Sequence, residues 1–480
     1  MRNLTILRSG TSLLAVASLA GCAVGPNYQR PTAPVETSFK ESQGWTPSQP
    51  ADAADRGAWW SVFKDPVLDG LEKRVAVSDQ NLLATEAVFN QALALVAQSQ
   101  SQYFPTIAAT GSESTSRRPA APTGAETTTN VYNAALGASW APDLWGRIRR
   151  TNEANRDNAE AAAANVASAE LLYQAQVATD YFTLRVLDEE KTLLNDTTAN
   201  YQRVVTVTNN KYNAGVSAKT DLITAQTQLE NAQAAAADLG VQRAQTEHAI
   251  AMLIGVTPAD LTIAPAPATR NIPVAPTGLA STLLERRPDV ASAERTMAAA
   301  NAQIGVAVSA YFPNLTLTGS YGYQAPALSG LFSASNAVWS VGPQLAETLI
   351  DFGARRAQVK NARAVYDQRV AQYRQTVLAA FQGVEDQIAA LRVLEQEASL
   401  RNTAETSARQ AETLTLNQYN AGQVDFTTVV TAENTALTAE TNSLNVLRAR
   451  LTASVALIQN LGGGWTDKDI PSVGQKIALF

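Results

Sequence analysis

Between residues 366 and 391, apolar side chains fall at Tyr366, Val370, Tyr373, Val377, Phe381, Val384, Ile388 and Leu391. The steps are of three and four residues, the spacing that keeps one stripe of an α-helix turned toward a partner. The stripe lies in a run from Ala354 to Ala421 that contains only Gly383, and an earlier run, Arg147 to Ala214, contains neither Gly nor Pro. At ~1.5 Å per residue each run predicts a helix roughly 100 Å long. Uncapped helices of that length are coiled coils, membrane spans or helical repeats. Charges recur throughout both runs, which excludes spans, and an extended coil is preferred to a compact bundle because bundle helices rarely run so far unbroken.

A second pattern has period two. Leu315, Leu317, Gly319, Tyr321 and Tyr323 alternate with Thr316, Thr318, Ser320 and Gly322; Tyr132 to Trp140 and Val338 to Pro343 alternate similarly, and Thr106 to Ser116 does so more weakly. Strands of about ten residues, apolar on one face and small or polar on the other, match transmembrane barrel strands. A half-buried soluble sheet gives the same alternation. Four strands cannot close a barrel, and an open edge in lipid leaves backbone groups unpaired. Membrane strands would therefore have to be pooled between copies, and three copies would supply twelve.

The two patterns occur twice. Tyr103-Phe104-Pro105 recurs as Tyr311-Phe312-Pro313, 208 residues later, and Asp143-Leu144-Trp145-Gly146-Arg147 has a looser echo in Asp351-Phe352-Gly353-Ala354-Arg355. Asn210 to Gly215 recurs as Asn417 to Gly422, and Leu253-Ile254-Gly255 has a counterpart in Asn460-Leu461-Gly462, both at an offset of 207. A period this long marks a duplicated half-molecule rather than a solenoid. Each half predicts a helix ending at Tyr-Phe-Pro (near 66–102, about forty residues, and 289–311), two strands, a very long helix, an Asn-Ala-Gly turn and a returning helix. The proline disfavours helix in the residue before it, which places the first stop. The expected organisation is 1–21 leader, 22–65 extended segment, 66–255 first repeat, 256–278 Ala/Pro-rich linker, 279–465 second repeat and 466–480 tail.

Chemistry adds little to this frame except at the start. Arg2 and Arg8 precede the apolar Leu13 to Leu19, and Leu19-Ala20-Gly21-Cys22 resembles a bacterial lipobox. Cys22 is the sole cysteine, so it forms no internal disulfide and is the expected lipidation site. Lipoproteins without Asp after the cysteine usually go to the outer membrane, and Ala23 stands here. Each buried methylene of an acyl chain contributes about 0.8 kcal/mol to the anchor. The net charge is −6 with no basic face, which argues against nucleic acid as a partner. No nucleotide loop or nucleophile motif occurs, and His248 stands without a ligand-spaced neighbour, so no cofactor, metal or catalytic residue is expected.

Several segments together resemble one family. They are Cys22-Ala23-Val24-Gly25-Pro26-Asn27-Tyr28-Gln29-Arg30-Pro31; Trp59-Trp60 with Phe63, Asp65-Pro66, Leu68 and Leu71; Arg286-Arg287-Pro288-Asp289-Val290; Ala300-Asn301-Ala302-Gln303-Ile304-Gly305; and Tyr311-Phe312-Pro313. In this order, over residues 19–465, the chain is similar to the TolC/OprM/NodT-type outer-membrane factors, in their lipoprotein branch. The resemblance implies a mainly α fold with a membrane β-barrel: a homotrimer whose twelve-stranded barrel sits above a hollow helical tunnel. It implies a passive exit duct of a tripartite efflux system, serving a periplasmic adaptor (membrane fusion) protein and an inner-membrane pump of RND type. The rival readings are a duct for type I protein secretion and a lipid-anchored coiled-coil protein with no pore.

By the same resemblance, the turns at Gly215-Val216 and Gly422-Gln423 touch the adaptor, although glycine is needed there in any case to reverse the chain. A constriction is expected just above them. Asp221 and Tyr419 match family positions that link coils through a carboxylate–phenol hydrogen bond; the rival role for Asp221 is a solvated first-turn acid beside the helix dipole. Thr428 and Thr431 stand where relatives commonly carry aspartates, which puts a ring of negative charge in doubt. Asp425 could substitute, or could simply cap its helix.

Overall fold

The computed structural model describes residues 23–32, 57–118, 127–273 and 287–463. Cys22 and the leader, Arg286, residues 274–278 of the linker and the tail at 466–480 lie outside them. The element order is α1 (Pro66–Ser78), α2 (Gln80–Ser101), β1 (Thr106–Arg118), β2 (Thr127–Trp140), α3 (Arg147–Asn213), α4 (Lys219–Leu253), α5 (Pro288–Ser309), β3 (Asn314–Ala325), β4 (Ala337–Ala346), α6 (Ala354–Asn420) and α7 (Phe426–Asn460).

The two long helices are present, each 67 residues, or about 100 Å. The forty-residue helix expected over 66–102 is instead two helices. Asp79 breaks it: its backbone is extended (φ −65°, ψ 121°), and its buried carboxylate accepts the N–H groups of Asn81 and Leu82, both at 2.8 Å. An Asp that satisfies two orphan donors of a new first turn competes with continuation of the old helix. The returning helix α4 ends against this break. A Cβ on Gly255 (φ +69°) would lie 2.0 Å from the Ser78 carbonyl oxygen, so both backbone conformation and space require glycine there.

The stripe from Tyr373 to Leu391 is buried, but not in a simple two-helix seam. It packs between Val290 and Met297 of α5 and Ala453, Leu457 and Leu461 at the end of α7. A second core gathers Trp59, Trp60, Phe63, Leu68, Leu71 and Val75 onto Tyr181, Phe182 and Leu184 of α3, Ile250 and Leu253 of α4, and Leu451 of α7. The described part of the linker is fastened beside it by charge. Arg185 and Arg243 both hold Asp188 and donate to the carbonyls of Ala264 and Ile263, while Arg270 pairs with Glu189.

Glu72 lies in this region, is 0% exposed, and neither carboxylate oxygen has a partner. Burial, and secondarily the charge of Asp69, raise its carboxyl to about 9. A folded pKa above the unfolded one means stability is complete below the unfolded value of 4.5 and is lost as pH rises toward 9. Glu72→Met is therefore expected to raise the thermal midpoint, with a gain on the order of a few kcal/mol near pH 8 and much less near pH 5. Thermal melts by circular dichroism at the two pH values check this; equal gains at both would remove the cost assigned to ionisation.

The four strands form one antiparallel sheet in the order β1-β2-β3-β4. The register places Ala109, Leu136, Tyr321 and Trp339 in one cross-strand row and Ile107, Ala138, Gly319 and Val341 in the next. The alternate face carries Thr110, Ala135, Gly322 and Val338, then Ala108, Gly137, Ser320 and Ser340. On the apolar face Trp339 is 73% and Val341 77% exposed. One face is thus oily and uncovered, the other small and polar, and β1 and β4 are free edges.

Residues 23–30 form a strap beneath the sheet. Val24 N–H donates to the Trp145 carbonyl, Asn301 donates to the Pro26 carbonyl, and Arg150 donates to the carbonyls of Val24 and Gly25 and to Asn27 Oδ1. Arg30 and Tyr28 converge on Glu294. The two family-like segments around Gly25 and Gly305 are therefore the two sides of one contact. The aromatic repeats also meet: Trp145 stacks on Phe312 at 4.8 Å and donates to the Pro313 carbonyl.

Candidate functional site

The far ends of the long helices turn back by the same local geometry. Gly215 and Gly422 have φ of +74° and +73°, and a Cβ on either would meet nothing within 4 Å. Glycine is used here for its left-handed backbone and not for space. Val216 N–H reaches back to the Lys211 carbonyl and Gln423 N–H to that of Gln418, both at 2.9 Å, closing the helix ends in Schellman fashion. Val216 projects at 76% exposure. The tips are therefore rigidly turned and open to contact.

Just above them lies a small apolar plug of Ala225, Phe426, Val429 and Val430, with Val204, Val205 and Tyr419 packed against it. Tyr419 leans on Phe426 at 5.6 Å, and Lys211 Nζ sits 3.9 Å over its ring. This cation–π contact joins α3 to α6, and an attraction of this kind is worth about 0.5–1 kcal/mol at an exposed site. Asp221 accepts from Ser217 Oγ at 2.7 Å, inside its own turn. The expected Asp221–Tyr419 hydrogen bond is not among the contacts within this chain.

The capping alternative holds for Asp425. Its carboxylate accepts from Thr428 N at 2.9 Å and from Thr428 Oγ1 at 2.6 Å, and these bonds hold it below the usual carboxylate range. The Thr431 hydroxyl donates to the Thr427 carbonyl at 2.9 Å. Both threonine hydroxyls thus donate locally, and neither position supplies charge. Lys211 and Phe426 went unnoticed in the sequence, where a lysine in a last helical turn and a phenylalanine after a cap look ordinary. Their role exists only once the two coils stand side by side.

His248 is exposed, and among the described residues no three His, Cys, Asp or Glu side chains converge as metal ligands. Nor is any described helix long and apolar enough to cross a membrane. What the chain does offer for a membrane is the uncovered apolar face of its sheet.

The profile of the outer membrane efflux protein family matches residues 72–256 and 279–463. The probable efflux pump outer membrane protein TtgC of Pseudomonas putida is 30% identical over 467 residues, covering 95% of this chain and 96% of the relative. The cation efflux system protein CusC of Escherichia coli is 28% identical over 93% of this chain and 97% of its own length. Among solved structures, the outer-membrane channel OprN superposes with a TM-score of 0.86 at 28% identity, over 92% of this chain and all of that one. The duplicated matches fall on the two halves seen in the fold, and the chain belongs to the outer membrane efflux protein family.

Proposed function

We propose that this chain is one subunit of a homotrimeric exit duct, anchored in the outer membrane through acylated Cys22. The observation that carries the reading is the sheet: an oily face open to its surroundings, a polar opposite face, and two unpaired edges. In lipid every backbone group needs a partner, so β1 of one copy must pair with β4 of the next. Three copies pool twelve strands around a polar lumen, and the long helices continue that lumen into the periplasm as a tunnel. The open tips at Gly215-Val216 and Gly422-Gln423 suit contact with a periplasmic adaptor, which couples the duct to an inner-membrane pump of RND type. Compounds pass without chemistry, and similar proteins include both a toluene efflux pump outer membrane protein of Pseudomonas putida and the cation efflux system protein CusC, so the duct walls need not select the cargo.

Single-channel recording of the purified full chain in planar bilayers tests this reading. Trimers are expected to give small openings while the tips are closed, and the absence of any conductance from well-folded trimers would sink the duct. Within one chain Asp221 and Tyr419 have other neighbours, so a link between them belongs to a contact between copies. The double variant Asp221→Ala/Tyr419→Phe is then expected to raise conductance several-fold. Unchanged conductance in a folded trimer would take these residues out of the lock.

A further inference from the structure

Between the plug and the described part of the linker, which forms its upper wall at Pro265 to Arg270, the seam between the two coils opens into a cleft. Its upper part, about 640 Å³, and its lower part, about 370 Å³, share Leu193, Asp196, Arg409 and Glu440 as walls. Together they run along α3 from Asp188 to Tyr201, about 20 Å at 1.5 Å per residue. Three helices contribute acid pairs to this cleft at the same seven-residue spacing: Glu189 and Asp196 on α3, Glu405 and Glu412 on α6, Glu433 and Glu440 on α7. Because α7 runs opposite to α3 and α6, the pairs form two layers about 10.5 Å apart.

The layers differ in their compensation. In the upper one Arg270 pairs with Glu189, and Arg409 with both Glu405 and Glu440. The lower one holds Asp196, Glu412 and Glu433, and among the described residues no cation forms an ion pair with any of them. Two side chains that line it are more than nine-tenths buried and carry an unpartnered polar atom: Tyr201, 4% exposed, its hydroxyl, and Glu433, 9% exposed, its Oε2. Buried polar atoms without partners are costly, and in a native site they point to a missing partner.

We propose that this cleft binds a linear polyamine, with one ammonium group seated in the lower layer against Glu433, Glu412 and Tyr201. Three observations select that class. The site is acidic, so its ligand is a cation. The carboxylates are strung along the cleft and no three acids close on one point, so a divalent ion finds no coordination set. The cavity is long and far larger than an ion. A flexible chain carrying ammonium groups at intervals meets all three conditions. Seated there, it would tie α3 to α6 and α7, and so hold the two coils of one subunit together above the tip.

The groups facing the lower layer are Asp196 and Tyr201 from α3, Glu412 and Arg409 from α6, and Glu433 and Glu440 from α7. Burial and the neighbouring Glu412 raise Glu433 to about 7. The carboxylate form that binds ammonium is therefore present above that value and disappears below it.

Isothermal titration of the full chain in detergent with spermidine, near pH 8, is the test. Saturable binding is expected, weakened at least ~10-fold by Glu433→Gln and by Glu412→Gln, as loss of a charge-assisted hydrogen bond requires. Neither variant removes a folding contact, and circular dichroism with gel filtration confirms the fold; Glu397→Gln, on α6 outside the cleft, should bind as the native chain does. Affinity should fall between about pH 8 and pH 5.5. The proposal is overturned by an absence of saturable heat, by native affinity in the Glu433→Gln/Glu412→Gln double variant, or by magnesium chloride displacing spermidine at matched ionic strength.

Discussion

Gly322→Val is expected to abolish membrane insertion while leaving the helical tunnel largely folded. A Cβ at Gly322 would lie 2.4 Å from the Ala134 carbonyl oxygen and 2.6 Å from Ala135 Cα, both on the adjacent strand β2. Backbone cannot yield as a flexible side chain can, so β3 must move off β2. That pairing, from Tyr132–Ala325 to Trp140–Leu317, is where the hairpin of the first half meets the hairpin of the second. Separating them adds two unpaired edges to a sheet that already has two, and each orphan backbone group in lipid costs several kcal/mol. A loss beyond ~4 kcal/mol places the variant among the most damaging single changes. The heat-modifiable oligomer on gels should vanish, whereas the helical circular dichroism should persist. Gly137→Ala is the matched control, because a Cβ there meets nothing within 4 Å. If Gly322→Val trimers inserted normally, the sheet's central pairing would not be what joins the halves.

Gly305→Val is expected to release the N-terminal strap. A Cβ on Gly305 would stand 2.8 Å from Arg150 Cγ and 2.9 Å from the Val24 carbonyl oxygen, and Gly25 already sits so close that its own Cβ would be 2.4 Å from Gly305 Cα. Arg150 is 4% exposed, and its guanidinium is held by the strap's carbonyls and by Asn27. Displacing the strap leaves a buried cation with Glu153 as its remaining ion-pair partner, and a broken buried charge network costs about 3–5 kcal/mol. Hydrogen exchange across residues 23–32 should rise to near-unprotected rates, and protease should trim the chain to the start of the core. The thermal midpoint should fall as well. Retained protection of 23–32 would show that the strap is held by Arg30 and Glu294 rather than by the glycine contact.

These two glycines mark where reading the sequence stopped short. Gly305 was legible as part of an Ala-Asn-Ala-Gln-Ile-Gly signature and Gly25 as part of a post-cysteine run, but their contact spans 280 residues of chain. Gly322 looked like any small residue on the polar face of a strand. Its necessity comes from how closely β2 passes over it, which depends on strand register. The apolar plug above the tips and the helix start beside it show the same limit. That Asp425 caps α7, ahead of Thr428 and Thr431, is legible in the sequence, since capping is a local event decided within three residues. The plug around Tyr419, with Lys211 above its ring, needs α3 and α6 to be neighbours, and nothing in either helix's own sequence fixes that.

The sequence by itself determined the elements and their duplication. Periods of 3.6 and two, an unbroken 67-residue run, glycine at each reversal and proline at Tyr-Phe-Pro are properties of the backbone and its nearest neighbours, so they survive without tertiary knowledge. Only the tertiary structure decided the three-way packing of the Tyr373-to-Leu391 stripe and the partners of Arg150, Asp188 and Tyr419. It also set the layered acids of the coil seam, whose seven-residue spacing was written in each helix but whose convergence was not. Local chemistry can specify where a helix starts and which face is oily. It cannot specify which oily face meets which, because that choice is made by shape and charge across hundreds of residues, through contacts that no short window contains.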